Sequence, residues 1–435
     1  MSAVATRRRY VQVGLGARSW LFTFAFTDWH RERCELAGLC EPNAGRLRQR
    51  VDFVRSKGLE APGFAASDFE RMLGEVRPDA VIVTTPDRDH DAYICRAMEL
   101  GCDVVTEKPL TIDAERLQRI LDAQRRTGRS CRVAFNYRYS PPRTQAKEIL
   151  DSGAIGEILS VDFHWLLDTR HGADYFRRWH RRKENSGGLL VHKATHHFDL
   201  VNWWLGSVPK RVFASGERRF YRPEQAERLG LSERGERCLD CAAAARCPFH
   251  LDLRRRTLRA LYLDHEAHDG YQRDRCVFSP EIDIEDAVSA VVDYRSNARL
   301  SYSLHAFMPW EGYTVAFNGT CGRLEHKCEE TVYTSGDGSV PGALRPEGTW
   351  IRVFPHFAPA YEVEPWQAEG GHGGGDLLLM KDLFDPGAAP DPHGRAADHR
   401  AGAWSVLTGI AANESIATGQ PVQVDSLVRG LELPD

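Results

Sequence analysis

Two rhythms of apolar and polar positions divide this chain. Over residues 1–135, short apolar runs alternate with segments of helical spacing. Tyr10–Val13, Glu35–Cys40, Asp79–Thr84, Asp103–Thr106 and Cys131–Phe135 read as strands. Ser19–His30, Ala44–Lys57, His90–Leu100 and Ile112–Thr127 read as helices, the last with Thr111 as N-cap and Gly128 as its stop. Such alternation predicts an α/β unit, a doubly wound parallel sheet of the Rossmann kind.

Beyond residue 136 the period shortens to two. Ser160–Trp165, Ala287–Tyr294 and Arg299–His305 alternate without intervening helices, which predicts a large, mostly antiparallel open sheet. Thr144–Ser152, His196–Leu205 and Ala403–Thr418 have helical spacing. Residues 136–435 are therefore expected to form an α+β domain, with the helix at 403–418 packing back toward the N-terminal domain. Residues 217–280, rich in Arg, Cys and His, read as an insertion.

The first strand ends in Gly14-Leu15-Gly16-Ala17-Arg18-Ser19. The first Gly makes a tight turn and the second lets backbone amides approach a pyrophosphate; Ser19 stands where a third Gly is usual. Glu41 ends the second strand, placed to accept hydrogen bonds from ribose hydroxyls, which favours NAD over NADP. Asn43 and Arg46 weaken that preference, since Arg pairs with a 2′-phosphate. Thr84-Thr85-Pro86 closes another strand at the carboxyl edge, where small residues admit a cofactor; His90 either faces it or caps a helix.

Glu107-Lys108-Pro109 ends the Asp103–Thr106 strand, and here the chain resembles the Gfo/Idh/MocA oxidoreductases, relatives of glucose–fructose oxidoreductase and inositol dehydrogenase. The resemblance continues through Phe135-Asn136-Tyr137-Arg138-Tyr139, Gly153-x-x-Gly156, Gly187–Asp199 and Gly371–Asp376, sparing residues 217–280. It implies that Glu107 and Lys108 lie at the cofactor and that Lys108 sits beside the nicotinamide and the reacting hydroxyl. Pro109 would be a cis-peptide partner and His196 a general acid/base. Relatives often carry Asp four residues before that histidine; this chain has His192, followed by Lys193. On one helix His192 and His196 would share a face. Zinc at this pair is disfavoured, because a zincin motif needs Glu where Lys193 stands. His197 reads as packing or capping, and Asp199 as orienting its neighbours.

The implied chemistry is oxidation of a secondary hydroxyl on a sugar, glycoside or polyol. Hydride goes to nicotinamide, a base of near-neutral pKa takes the proton, and Lys108 steadies the alkoxide. Some relatives instead recycle a retained NAD to cleave or eliminate glycosides without net redox. A non-catalytic cofactor sensor would be expected to lack the Lys or His, and both are present. The segment Arg170–His180, with Arg170, His171, Tyr175 and Trp179, reads either as a substrate loop or as a solvated surface. Tyr139, His305 and His372 are weaker candidates for the same cleft. The resemblance also implies a homo-dimer or homo-tetramer.

Cys238-x2-Cys241-x5-Cys247 and Cys276 suit structural Zn²⁺, with an iron–sulfur cluster or free thiols as alternatives; His250, His265 or His268 could replace Cys276. The formal net charge of −4 gives no reason to expect nucleic acid or membrane as a partner. Without a secretory signal or a long apolar run, the expected compartment is the cytoplasm.

Overall fold

The structure is a computed structural model that describes residues 7–332, 348–368, 374–385 and 391–433. Six parallel strands form the first sheet: β1 (Arg8–Val13), β2 (Cys34–Cys40), β3 (Gly63–Phe64), β4 (Ala80–Val83), β5 (Asp103–Thr106) and β6 (Cys131–Val133). Their order is β3-β2-β1-β4-β5-β6, so the winding reverses between β1 and β4. The crevice for a ligand lies beyond the carboxyl ends of these two strands. Both are apolar because helices cover both faces: Val11, Val13 and all of β4 are fully buried. The helix after β5 starts at Ala114, not at Ile112. Its cap is Asp113, whose carboxylate accepts the Arg116 amide at 2.8 Å, rather than Thr111. Gly128 closes it in the left-handed conformation.

The second sheet has nine strands: β7 (Ile158–Asp168), β8 (Pro209–Glu217), β9 (Ala287–Tyr294), β10 (Arg299–Met308), β11 (Trp310–Gly319), β12 (Gly322–Val332), β13 (Trp350–Pro355), β14 (Tyr361–Val363) and β15 (Val422–Gln423). The order is β14-β13-β12-β11-β7-β10-β9-β8-β15. Among the described residues, only the central β7–β10 pair of this sheet is parallel. The Ala194–Leu205 and His399–Thr418 helices pack together against this sheet, and the latter reaches β6. The Ala194–Leu205 helix is almost wholly buried, and the His399–Thr418 helix is buried over Gly402–Gly409.

The segment between β8 and β9 packs in two directions. Tyr221 stacks on Phe176 with ring centroids 4.2 Å apart, and Phe249 offers its carbonyl to Arg177 at 3.0 Å. Arg273 pairs with Asp174 at 2.6 Å. The other side meets the Ala44–Ser56 helix, where Asn43 and Gln49 donate to the carbonyls of His265 and Ala260, each at 3.0 Å. Gly45 is required at that seam, since a Cβ there would fall 2.3 Å from the His265 ring.

Arg138 and Asp199 form a buried bidentate pair at 2.6 and 2.7 Å, joining the loop after β6 to the Ala194–Leu205 helix. Asp199→Ala leaves a buried guanidinium unpaired and is expected to cost about 3 kcal/mol. Urea unfolding that shows less than about 1 kcal/mol would contradict the importance of this pair.

Candidate active site

The loop after β1 makes a cradle. Gly14 has φ +82°, and a Cβ on it would lie 2.7 Å from the Thr84–Thr85 backbone. Thr84 Oγ1 donates back to the Gly14 carbonyl at 2.6 Å. A Cβ on Gly16 would meet nothing within 4 Å, so space is open beside its backbone. This cradle opens into a cleft of about 590 Å³, lined also by Ala17, Arg18, Glu41, Thr84, Thr85, Pro86, His90, Glu107 and Lys108. Its donors and open floor fit a dinucleotide phosphate.

Ser19 is not in that lining. It is buried, donates to the Gly16 carbonyl at 2.6 Å and receives Arg50 at 3.1 Å. It therefore shapes the loop from behind rather than facing the cleft. Arg50 lies against the Trp20 ring at 3.6 Å, and burial pushes its guanidinium down to about 9. Arg18 ties the cradle to distant segments, meeting Glu107 at 2.6 Å and Asp376 at 3.0 Å. His90 is buried between the carbonyls of Pro109 (2.7 Å) and Thr85 (3.1 Å), clamping two strand ends together.

At the adenosine end, Glu41 accepts the Leu15 amide at 2.6 Å and Arg46 at 2.9 Å. Arg46 also reaches Asp269 of the segment between β8 and β9 at 2.5 Å. Tyr262, Asp269 and Tyr271 from that segment complete this wall. Sequence reasoning missed them because nothing in the spacing links residues 217–280 to the cradle.

At the other end stands Lys108, preceding a cis peptide to Pro109. Its Nζ donates to the His192 carbonyl at 3.1 Å and lies 3.3 Å from His192 Nε2. The other ring nitrogen of His192 is 2.5 Å from Asp87 Oδ2. Asp87 was also missed: it follows Pro86 in the loop after β4, and the signal available was an acid at the carboxyl edge of the sheet, where cofactors lie. Burial lowers Lys108 to about 8 against the pull of Asp87 and Glu107. Burial likewise raises Asp87 and lowers His192, so each is pushed toward its neutral form. The arrangement is an amine, an imidazole and a carboxyl in line, a short path for one proton.

The helical segment is interrupted at Lys193, with helices Leu189–His192 and Ala194–Leu205 on either side, and both histidines line the cleft. His196 lines the cleft with its ring stacked on Tyr137 at 4.1 Å. His197 points away, bonding Tyr302 at 2.7 Å and stacking on Trp165. Lys193 is buried, donates to the Tyr137 hydroxyl at 3.0 Å and lies 3.6 Å from Glu311. Glu311 also holds His171 Nδ1 at 2.7 Å, and His171 Nε2 receives the Tyr175 hydroxyl at 2.9 Å. His171, Tyr175 and Trp179 line the cleft.

Three expected substrate residues do not reach it. Tyr139 is buried with its hydroxyl on Asp382 at 2.7 Å, because the Gly375–Phe384 helix covers it. Arg170 is exposed beside Asp168, which caps its helix through the Arg170 amide. His305 shares the β10 face of Ser301 and Ser303, opposite buried Tyr302 and Leu304. His372 lies outside the described residues.

Cys238, Cys241, Cys247 and Cys276 line one small cavity with Leu231, Phe249 and Phe278. Burial pushes the Cys247 thiol up to about 11 and raises Cys238 and Cys276. Among the described residues no group of three or more His, Cys, Asp or Glu side chains could hold a metal ion. The expected zinc or iron–sulfur site is thus not supported, because the spacing brings the thiols to one cavity without a metal-holding geometry. Among the same residues no helix is long and apolar enough to cross a membrane.

Residues 8–135 match the family model described as "Oxidoreductase family, NAD-binding Rossmann fold", and residues 147–424 match its C-terminal alpha/beta domain. The chain is 39% identical over 436 residues to the putative oxidoreductase YteT of Bacillus subtilis, covering 97% of this chain and 98% of that protein. It is 28% identical over 176 residues to an NAD(+)-dependent scyllo-inositol 2-dehydrogenase of the same organism, spanning 40% of this chain and 48% of the relative. The fold matches the WlbA dehydrogenase of Bordetella pertussis, solved with NADH and UDP-GlcNAcA, with TM-score 0.63, 18% identity and coverage of 96% and 99%. The chain belongs to the Gfo/Idh/MocA oxidoreductase family and carries its NAD-binding domain.

Gly16→Val fills the open floor of the cradle without a backbone clash. It is expected to leave the melting temperature within about 2 °C and to weaken NADH binding at least ~30-fold by fluorescence titration. Unchanged NADH affinity would place the pyrophosphate elsewhere.

Proposed function

We propose that this enzyme oxidises a secondary hydroxyl of a sugar, glycoside or cyclitol, with NAD as hydride acceptor. The observation that carries the proposal is the line from Lys108 Nζ through the His192 ring to Asp87, opening into the cleft that holds the Gly-x-Gly cradle. Relatives named for activity on inositols and glucosides support the substrate class.

Bound NAD supplies the carbon that accepts the hydride. The cradle residues Gly14, Gly16, Ala17 and Arg18, with Thr84, Thr85, Pro86 and Glu107, would line its phosphates and nicotinamide ribose, and Glu41 its adenosine ribose. The chain's own side chains handle the remaining proton. As the C–H bond gives up its electron pair, the hydroxyl O–H bond breaks and Lys108 takes the proton. Lys108 suits this because burial leaves a substantial neutral fraction near pH 8. The proton then passes toward His192, whose ring orientation Asp87 fixes. His196, held flat on Tyr137, stands at the same cleft as a second acid/base group. Next to His192, whose ring lies 5.4 Å from that of Tyr175, Tyr175, His171 and Glu311 form a second hydrogen-bonded chain suited to gripping the other hydroxyls of a polyol. Lys193, fixed by Tyr137 and Glu311, contributes a positive field that favours the developing alkoxide.

Incubation with NAD and a panel of glucosides and inositols should yield NADH in proportion to ketone. Release of aglycone without NADH would instead indicate hydride returned to the sugar, and no turnover across the panel would remove the proposal. With an active substrate, kcat/KM for oxidation should rise with pH and level off above about 8, since the base must be unprotonated. Lys108→Met should lower kcat roughly 10³-fold and abolish that pH limb while NADH affinity stays within about threefold. Asp87→Asn should lower kcat about 10²-fold, and a wild-type rate would exclude Asp87 from the proton path.

A further inference from the structure

On the basis of the dinucleotide reading above, we infer that Asp269, carried by the inserted segment, is a specificity-determining residue that, together with Glu41, rejects a 2′-phosphate on the adenosine ribose. In a sheet of this type the acid ending the second strand faces the ribose hydroxyls, and a nearby Arg is the natural partner of a 2′-phosphate. This chain has both, Glu41 and Arg46, so the first unit alone leaves the choice of nucleotide open.

The insertion closes it. Arg46 donates to Glu41 through Nε at 3.1 Å and through a terminal nitrogen at 2.9 Å, and the same terminal nitrogen lies 2.5 Å from Asp269 Oδ2. Two carboxylates therefore hold one guanidinium, and the three groups sum to one negative charge. A phosphate entering here would face two anions, and the Arg46 guanidinium that could greet it is engaged by both. A ribose with free hydroxyls meets no such repulsion. Asp269 is itself held in position, since its other carboxylate oxygen accepts the Tyr271 amide at 3.1 Å, and Tyr271 lines the same wall. The seam beneath is tight, with Asn43 donating to the His265 carbonyl and Gly45 packed on the His265 ring. From behind, Arg237 grips Glu266 at 2.6 Å and Asp274 at 2.7 Å, bracing the short helix Glu266–Asp269.

The test is titration of the full chain with NADH and NADPH, followed by nicotinamide fluorescence. Wild type should bind NADH at least ~100-fold more tightly than NADPH. Asp269→Asn removes one charge at constant shape and should narrow that ratio about 10-fold, mainly by strengthening NADPH. Asp269→Glu should restore discrimination, and adding Arg46→Ala to Asp269→Asn should erase the NADPH gain. Asp269→Ser provides a second neutral variant if the Asn protein is unstable by circular dichroism. A ratio within about twofold of wild type, or equal weakening of both nucleotides, would overturn the role of Asp269 and leave it a structural buttress. Failure of wild type to bind either nucleotide would overturn the dinucleotide reading itself.

Discussion

A charged amine does not sit in a confined cleft unless something nearby answers it. Lys108 meets the His192 carbonyl and ring, with Asp87 behind them. These three groups come from the end of β5, the loop after β4 and the segment entering the Ala194–Leu205 helix. For them to meet, the edge of the parallel sheet must abut the helical layer of the second sheet along one line. Much else in the molecule serves that junction. Arg138–Asp199 pins the same helix to the loop after β6, His90 clamps Pro109 to Thr85, and Arg18 bridges Glu107 to Asp376.

The same constraint sets the chemistry. Surrounded by low-dielectric walls and by the positive charges of Lys193 and Arg18, Lys108 gives up its proton far more easily than a solvated lysine. A hydroxyl has to be deprotonated as hydride leaves, and an amine of this strength can both take and return that proton near neutrality. In the proposed oxidation the His192–Asp87 pair would give it somewhere to pass.

How much of this was legible in the sequence depended on how local the cause was. The cradle at Gly14 and Gly16 was readable because a turn is governed by its own few residues. The parallel sheet was readable because β4 is apolar at every position. Lys108 was found through its neighbours in the motif. Asp87 was not, since its partner lies 105 positions away and no spacing rule connects them. Tyr139 and His305 failed for a related reason: alternation tells which face a residue takes, but not what later covers that face. The Gly375–Phe384 helix claims Tyr139, and the outer side of the large sheet claims His305. Ser19 shows a subtler miss, where the motif position was right but the side chain turned inward to Arg50. The cysteines show that spacing can bring thiols to one cavity without making a metal-holding group.

By composition, residues 217–280 look like an ornament that a shorter homologue could do without. Their packing says otherwise. Excising them would strip Asp174 of Arg273, Arg177 of the Phe249 carbonyl and Phe176 of its stacking partner, all on the helix that presents His171 and Tyr175. It would also unroof Arg46. Minimising this scaffold by trimming loops therefore has a hard floor, and a pruned version would need new side chains on both halves before it could fold around a nucleotide again.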